Sequence, residues 1–86
     1  SSEIVKSSKQ DFRIHLNRRP GGKIVTIVKG FIGHQGQIKT IGKRLKKKCG
    51  VGGTVKNNEI LIQGNCRDKV IELLKSQGHI AKPSGG

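Results

Sequence analysis

The stretch LKKKCGVGGTVKNNEILIQG, residues 45–64, constrains the fold of this chain more than any other. It runs from a lysine-loaded helix end through a glycine hinge into a tight hairpin and an apolar strand. NCRDKVIELLKSQG follows at once with helical spacing, so three kinds of local structure meet within about thirty-five residues. Cations crowd one element while apolar residues mark a core. That is the pattern of a small packed module presenting lysines to a polyanion.

The remaining elements follow from period and punctuation. Phe12, Ile14 and Leu16 alternate with Arg13, His15 and Asn17, as in a half-buried strand. Arg18-Arg19-Pro20-Gly21-Gly22 breaks that strand, because proline presets one turn dihedral and glycine takes positive φ. Ile24 to Val28 then reads as a second strand, giving a hairpin with a basic tip. Gly30, Gly33 and Gly36 punctuate a loop, after which Ile38, Ile41, Leu45 and Cys49 recur at spacings of three and four along one helix face. Gly42 inside that helix costs about 1 kcal/mol relative to alanine, which suggests the close approach of a neighbouring backbone. Gly50 suits a left-handed stop. Thr54–Lys56 and Glu59–Gln63 pair around Asn57-Asn58, residues that tolerate the left-handed region of a two-residue turn.

Asn65 is the expected N-cap of a second helix, with Asp68 three residues on. Val70, Leu73 and Leu74 supply its buried stripe, Cys66 and Ile71 flank it, and Gly78 ends it. Ile80 can close the sheet as a short edge strand. The order is β-β-α-β-β-α-β without an internal repeat. Amphipathic helices need an apolar partner, so the expected architecture is an α/β (α+β) open sandwich with both helices on one face of a mixed sheet. The expected organisation is a flexible N-terminal arm over residues 1–10, a single domain over 11–82 and a flexible tail over 83–86.

Charge narrows the function. The chain has 86 residues, one small domain, and carries 18 Lys and Arg against five Asp and Glu, a net +13. Such a cation attracts nucleic acid, an acidic protein or an anionic membrane surface. No apolar run approaches the roughly 20 residues of a membrane span, and no signal-peptide pattern is visible, although the chain begins at Ser1 without Met. Cys49 and Cys66 are too few and too far apart for a zinc module, and His15, His34 and His79 are scattered. Both cysteines read as ordinary small side chains of a protein in a reducing cytosol, with no metal and no cofactor expected.

Two basic clusters stand out. Lys39, Lys43, Lys46 and Lys47 lie along one side of the first helix, away from Ile38, Ile41 and Leu45, and Arg44 and Lys48 widen the stripe. Like charges at i, i+4 destabilise a helix unless a polyanion neutralises them. A solvated face usually mixes signs, yet no acidic residue occurs between Asp11 and Glu59. A phosphate-binding face is therefore preferred over a merely solvated one. The second cluster is Asn17-Arg18-Arg19-Pro20-Gly21-Gly22-Lys23, two guanidinium forks and an ammonium on a hairpin tip. Gly50-Val51-Gly52-Gly53 follows a helix instead of opening one and lacks the Lys-Ser/Thr ending, so it reads as a hinge and not a nucleotide loop. Phe12 and Phe31 are the only aromatics, too few for stacking successive bases, which favours structured RNA gripped by its backbone. No catalytic pair or triad is evident from spacing, and enzyme activity is not expected.

On these residues the chain resembles the translation initiation factor 1 family of eukaryotes and archaea, in its bacterial stand-alone branch. The resemblance covers about Phe12 to Gly86 and is carried by LKKKCGVGGTVKNNEILIQG with RDKVIELLKSQG. It implies a five-stranded sheet with two helices on one side. It also implies binding to the small ribosomal subunit near the peptidyl-tRNA site, in an initiation complex with mRNA and initiator tRNA, and a part in selecting the start codon. The family's basic hairpin loop corresponds to Asn17 through Lys23, including Gly21 and Gly22, and would reach toward the decoding region. Its basic first helix corresponds to the segment bearing Lys39, Lys43, Lys46 and Lys47, which would lie on ribosomal RNA. Two departures are visible: Gly33-His34-Gln35-Gly36-Gln37 replaces the acidic residues usual before the first helix, and Asn65 replaces the acidic cap before the second.

The leading expectation is a cytoplasmic, monomeric, non-enzymatic factor that binds ribosomal RNA and adjusts initiation. An alternative is a general RNA-binding or stress-response regulator using the same surface. A small phosphate-ester or acyl-phosphate hydrolase built around the arginine loop is a third, supported by fold analogy alone.

Overall fold

Alternation along the first strand decides which side of the sheet is covered. In the computed structural model, which describes residues 10–84, β1 (Asp11–Arg19) buries Phe12 and Ile14 completely. A 3-10 turn at Pro20–Gly22 leads into β2 (Lys23–Lys29), and the two strands pair antiparallel from Arg13↔Lys29 to Arg19↔Lys23. Then come α1 (Gln35–Cys49), β3 (Gly53–Lys56), β4 (Glu59–Gln63), α2 (Arg67–Ser76) and β5 (Ile80–Pro83). The strand order is β3-β4-β2-β1-β5. Only β1 and β5 pair in parallel, so the five-stranded sheet is mixed, as expected.

Register explains the core. Ile14 faces Val28, Val28 faces Ile60, and Ile60 faces Val55, which puts one apolar row across four strands. Ile38 and Leu45 of α1 and Val70 and Leu74 of α2 close on it, all fully buried, and Ile62, Phe31 and Ala81 complete the cluster. α1 lies over β3 and β4 while α2 lies over β1 and β5. Each buried aliphatic side chain contributes about 1.5–3 kcal/mol. Ile41, Cys49, Ile71, Leu73 and Cys66 pack at the margin.

Local signals did their expected work at the turns. Asn57 and Asn58 have φ of 52° and 58°, the left-handed pair of a two-residue hairpin. Gly50 takes φ 68°, and the N–H groups of Gly50 and Val51 both donate to Lys46 O, closing α1.

Several expectations are corrected. α1 starts at Gln35, so Gly36 lies inside the helix, and Gln37 Oε1 accepts the His34 N–H at 3.1 Å to hold the first turn. The neighbours that crowd Gly42 are side chains, not backbone: a Cβ there would stand 2.8 Å from Val55 Cγ2 and 3.5 Å from Ile60 Cγ2. The N-cap of α2 is Cys66, one residue later than expected, while Asn65 Oδ1 accepts the Arg67 N–H at 3.4 Å. Gln10, assigned by sequence to the arm, is buried. Its amide exchanges two hydrogen bonds with the Ile32 backbone and its N–H donates to His79 Nδ1. At the other end β5 continues through Pro83, and the Ser84 N–H donates to Ile14 O. The rest of the expected arm and tail, residues 1–9 and 85–86, lies outside the described residues.

Candidate nucleic-acid interface

The hairpin tip is built by a ribbon that outruns the rest of the sheet. β4 pairs with β2 only from Val28 back to Val25, opposite Gln63, whereas β1 follows β2 on to Lys23. Asn17, Arg18, Arg19, Gly21, Gly22 and Lys23 are consequently all exposed. Gly21 and Gly22 take φ of 82° and 75°, which the tight reversal after Pro20 requires. Strand alternation sends the two arginines to opposite faces: Arg18 shares the helix side with Leu16 and Ile24, and Arg19 pairs with Lys23 on the open side. Arg19 Nε donates to Asn17 Oδ1 at 3.2 Å, which orients its guanidinium.

On α1, Lys39, Lys43 and Lys47 are exposed at i, i+4 and i+8, one stripe along the outer face. Arg44 and Lys48 are exposed beside them. Lys46 differs. It is half-buried and its Nζ donates to Gly53 O at 3.5 Å, so this lysine ties the helix to the start of β3 as well as adding charge. Lys46, Lys47 and Lys48 together occupy the last turn, where cations complement the helix dipole.

Topology brings the two clusters together. Gly53 faces Ile62, and the Gln63 N–H donates to Gly52 O, so the glycine hinge after α1 sits at the end of the sheet where Gln63, Val25 and Asn17 stand abreast. A recess there is lined by Arg19, Val25, Gly53, Thr54, Leu61 and Gln63, joining the hairpin to the hinge. The last turn of α1 and the arginine tip therefore share one pole. A neighbouring recess of about 580 Å³ includes Arg19, Pro20, Lys23 and Gln63. Gln63 lines both recesses, and nothing in the sequence singled it out, because its place depends on β4 pairing with β2.

Among the described residues neither basic cluster is paired internally. Among the described residues the ion pairs are Arg13 with Asp11 and Lys29 with Glu59, the latter at 3.8 Å. None of the tip arginines or α1 lysines has a carboxylate partner there. A row of like charges without internal compensation is what a phosphate backbone can neutralise.

The opposite end of the molecule holds a cleft of about 470 Å³ between α1 and His79, with Gln10, Phe31, His34, Gln37, Thr40 and Ile41 around it. Several of its polar groups are already committed. Gln10 is engaged as described, Thr40 Oγ1 donates to Gly36 O, and His79 accepts at Nδ1, with burial pushing its imidazole below the usual histidine range. Among the described residues no cluster of His, Cys, Asp and Glu is arranged to hold a metal, and no helix is long and apolar enough to cross a membrane.

Comparison with known proteins decides the family. The family model described as translation initiation factor SUI1 matches residues 8–81. This chain belongs to that family. It is 40% identical over 77 residues to the protein translation factor SUI1 homolog of Sulfurisphaera tokodaii, covering 90% of this chain and 77% of that one. It is 42% identical over 76 residues to the homolog of Sulfolobus acidocaldarius (88% and 77% covered). The Methanocaldococcus jannaschii homolog is 40% identical over 76 residues (88% and 74%). The match spans β1 through Ala81 of β5 and so includes both basic clusters. Membership places the chain among factors of translation initiation.

Proposed function

We propose that this protein is a non-enzymatic initiation factor that binds the small ribosomal subunit near the peptidyl-tRNA site and modulates choice of start codon and initiator tRNA. The observation that carries the reading is the shared pole: the last turn of α1, where the unpaired lysine stripe ends, and a protruding arginine tip stand at one end of a single sheet. α1 is the anchor. Its lysines would neutralise phosphates of ribosomal RNA without regard to sequence. The tip is the sensor, because it projects past the body and can enter a space the body cannot. Occupancy of that space favours one initiation complex over another only through contacts that differ between them.

The experiment is a reconstituted initiation assay with Arg18→Ala/Arg19→Ala protein. The expected result is a large change in discrimination between matched and near-matched start codons with a smaller change in subunit affinity. Unchanged discrimination accompanied by a large loss of affinity would make the tip another anchor, and the protein a general RNA binder. Footprinting on purified small subunits locates the contact independently.

A further inference from the structure

At the foot of the arginine tip the sheet loses a strand, and a hollow opens in its place. β4 follows β2 only as far as Gln63 opposite Val25, and the chain then turns off through Gly64, whose N–H donates to Ile24 O at 2.7 Å. β1 and β2 run on without it to Arg19 and Lys23. The two recesses described above meet here, because Arg19, Val25 and Gln63 belong to the walls of both. From this juxtaposition we infer that the hollow receives one unpaired nucleotide of an RNA, its phosphate on Arg19 and Lys23 and its base over Val25, read by the Gln63 amide. The inference rests on the RNA-binding reading above and adds to it a pocket for a base.

The lining supplies each part a nucleotide needs. Arg19 uses Nε on Asn17 Oδ1 at 3.2 Å, which orients the guanidinium and leaves its terminal nitrogens to donate to a phosphate. Gln63 is exposed, but its backbone is fixed by the N–H bond to Gly52 O at 3.0 Å. Its amide rests against Gly52, where a Cβ would meet the amide carbon, nitrogen and oxygen at 3.6–3.7 Å. That amide carries an acceptor as well as donors. A phosphate uses donors only, whereas a base edge mixes donors and acceptors, so Gln63 suits the base and the cations suit the phosphate.

Val25 and Leu61 give the hollow apolar walls on the open side of the sheet, and Pro20 and Ile24 extend them toward the tip. A guanidinium plane can cover a base where no aromatic ring is present. Phe12 and Phe31 are buried in the core, so successive bases have no platform, but a single base needs none. The larger recess, about 580 Å³, falls within the roughly 300–1,000 Å³ of small-ligand clefts. A base held in a duplex cannot enter without the cost of unpairing, which a bulged nucleotide has already met.

The test uses the full chain and two RNA stem-loops, identical except for one bulged adenosine in the stem. Adenine is chosen because a glutamine amide matches its N6–H and N7 together. The parent should bind the bulged RNA about tenfold more tightly than the fully paired one. The side-chain amide NMR signals of Gln63 should shift with the bulged RNA and not with the paired one. Gln63→Ala should bring the affinity ratio close to one. Lys39→Gln, Lys43→Gln and Lys47→Gln combined should weaken both RNAs and keep the ratio. Free adenosine monophosphate at the concentration of the RNA should not displace it, since the nucleotide alone lacks the stem phosphates; displacement would make the hollow a site for free nucleotides and overturn the assignment to RNA. Equal affinity of the parent for both RNAs, or a ratio that survives Gln63→Ala, overturns the inference and leaves phosphate anchoring by α1 standing. Failure to bind either RNA overturns the inference and the RNA-binding reading together. Should the variant not fold, the parent's affinity ratio and Gln63 signals decide alone.

Discussion

Thr26 shows how one polar residue organises the pole where the basic clusters meet. It is fully buried on the helix side of β2, between apolar neighbours, and its hydroxyl is used twice: Oγ1 donates to Gly64 O at 2.7 Å and accepts the Cys66 N–H at 2.9 Å. Those two groups lie in the connection between β4 and α2, where the Gly64 N–H also donates to Ile24 O at 2.7 Å but the Gly64 carbonyl and the Cys66 N–H rely on the hydroxyl. Buried backbone groups left without partners cost about 1–3 kcal/mol, whereas the hydroxyl in place costs nothing further. Thr26→Val keeps the shape and removes the partner, so it should lower unfolding free energy in urea by about 1–3 kcal/mol. Thr26→Ser keeps the hydroxyl and loses one methyl, so it should cost about 1 kcal/mol. A valine variant as stable as the parent would mean that water replaces the hydroxyl and that Thr26 is not what seats α2.

At the scale of elements, α1 separates two duties that the sequence left merged. Lys39, Lys43, Lys46 and Lys47 looked equivalent because spacing alone put them on one side; the structure frees three and ties Lys46 to Gly53 O. Replacing Lys39, Lys43 and Lys47 by Gln should flatten the log-log salt dependence of RNA binding by about 2–3 units, at about 0.7–0.9 per lost phosphate contact. The same variant should be slightly more stable than the parent, since two i, i+4 repulsions of about 0.2–0.5 kcal/mol each disappear. Lys46→Gln should instead lose stability along with affinity. Salt titration and urea unfolding on both variants check this, and a triple variant with the parent's salt slope would remove α1 as anchor.

The same element marks what was legible. Ile38, Leu45 and Gly50 announced the body and end of α1 through period and a left-handed stop. Gln35–Gln37 hid its start because that first turn buries nothing and is held by a side-chain bond. Strands showed by alternation, and the β3–β4 turn by its two asparagines. The roles of Thr26 and Gln10 did not show, because their partners are distant in sequence and depend on the strand order β3-β4-β2-β1-β5. Both basic clusters were readable as charge. Their common pole was not, since it exists only once β4 pairs with β2.

For the whole molecule, a net +13 on 86 residues sets stability and binding against each other. Self-repulsion among uncompensated cations weakens the compact state, and a bound polyanion would relieve it, as does salt. The screening length falls from about 10 Å at 0.1 M to about 3 Å at 1 M, so added salt should raise the melting temperature of the free protein. Salt should have the opposite effect on the complex, because phosphate contacts release counterions and affinity falls steeply. A ligand that binds only the folded state stabilises it by RT ln(1 + [L]/Kd), so a fixed concentration of structured RNA should raise the melting temperature strongly at low salt and hardly at high salt. Two melting series, with and without RNA, should therefore converge as sodium chloride is raised from about 0.05 to 0.5 M, the free protein climbing toward the complex. A free-protein melting point that stays flat or falls would show that the charge does not strain the fold. An RNA-induced shift that persists undiminished at high salt would show that contacts other than phosphate pairing dominate, and the lysine face would then lose its place as the main source of affinity.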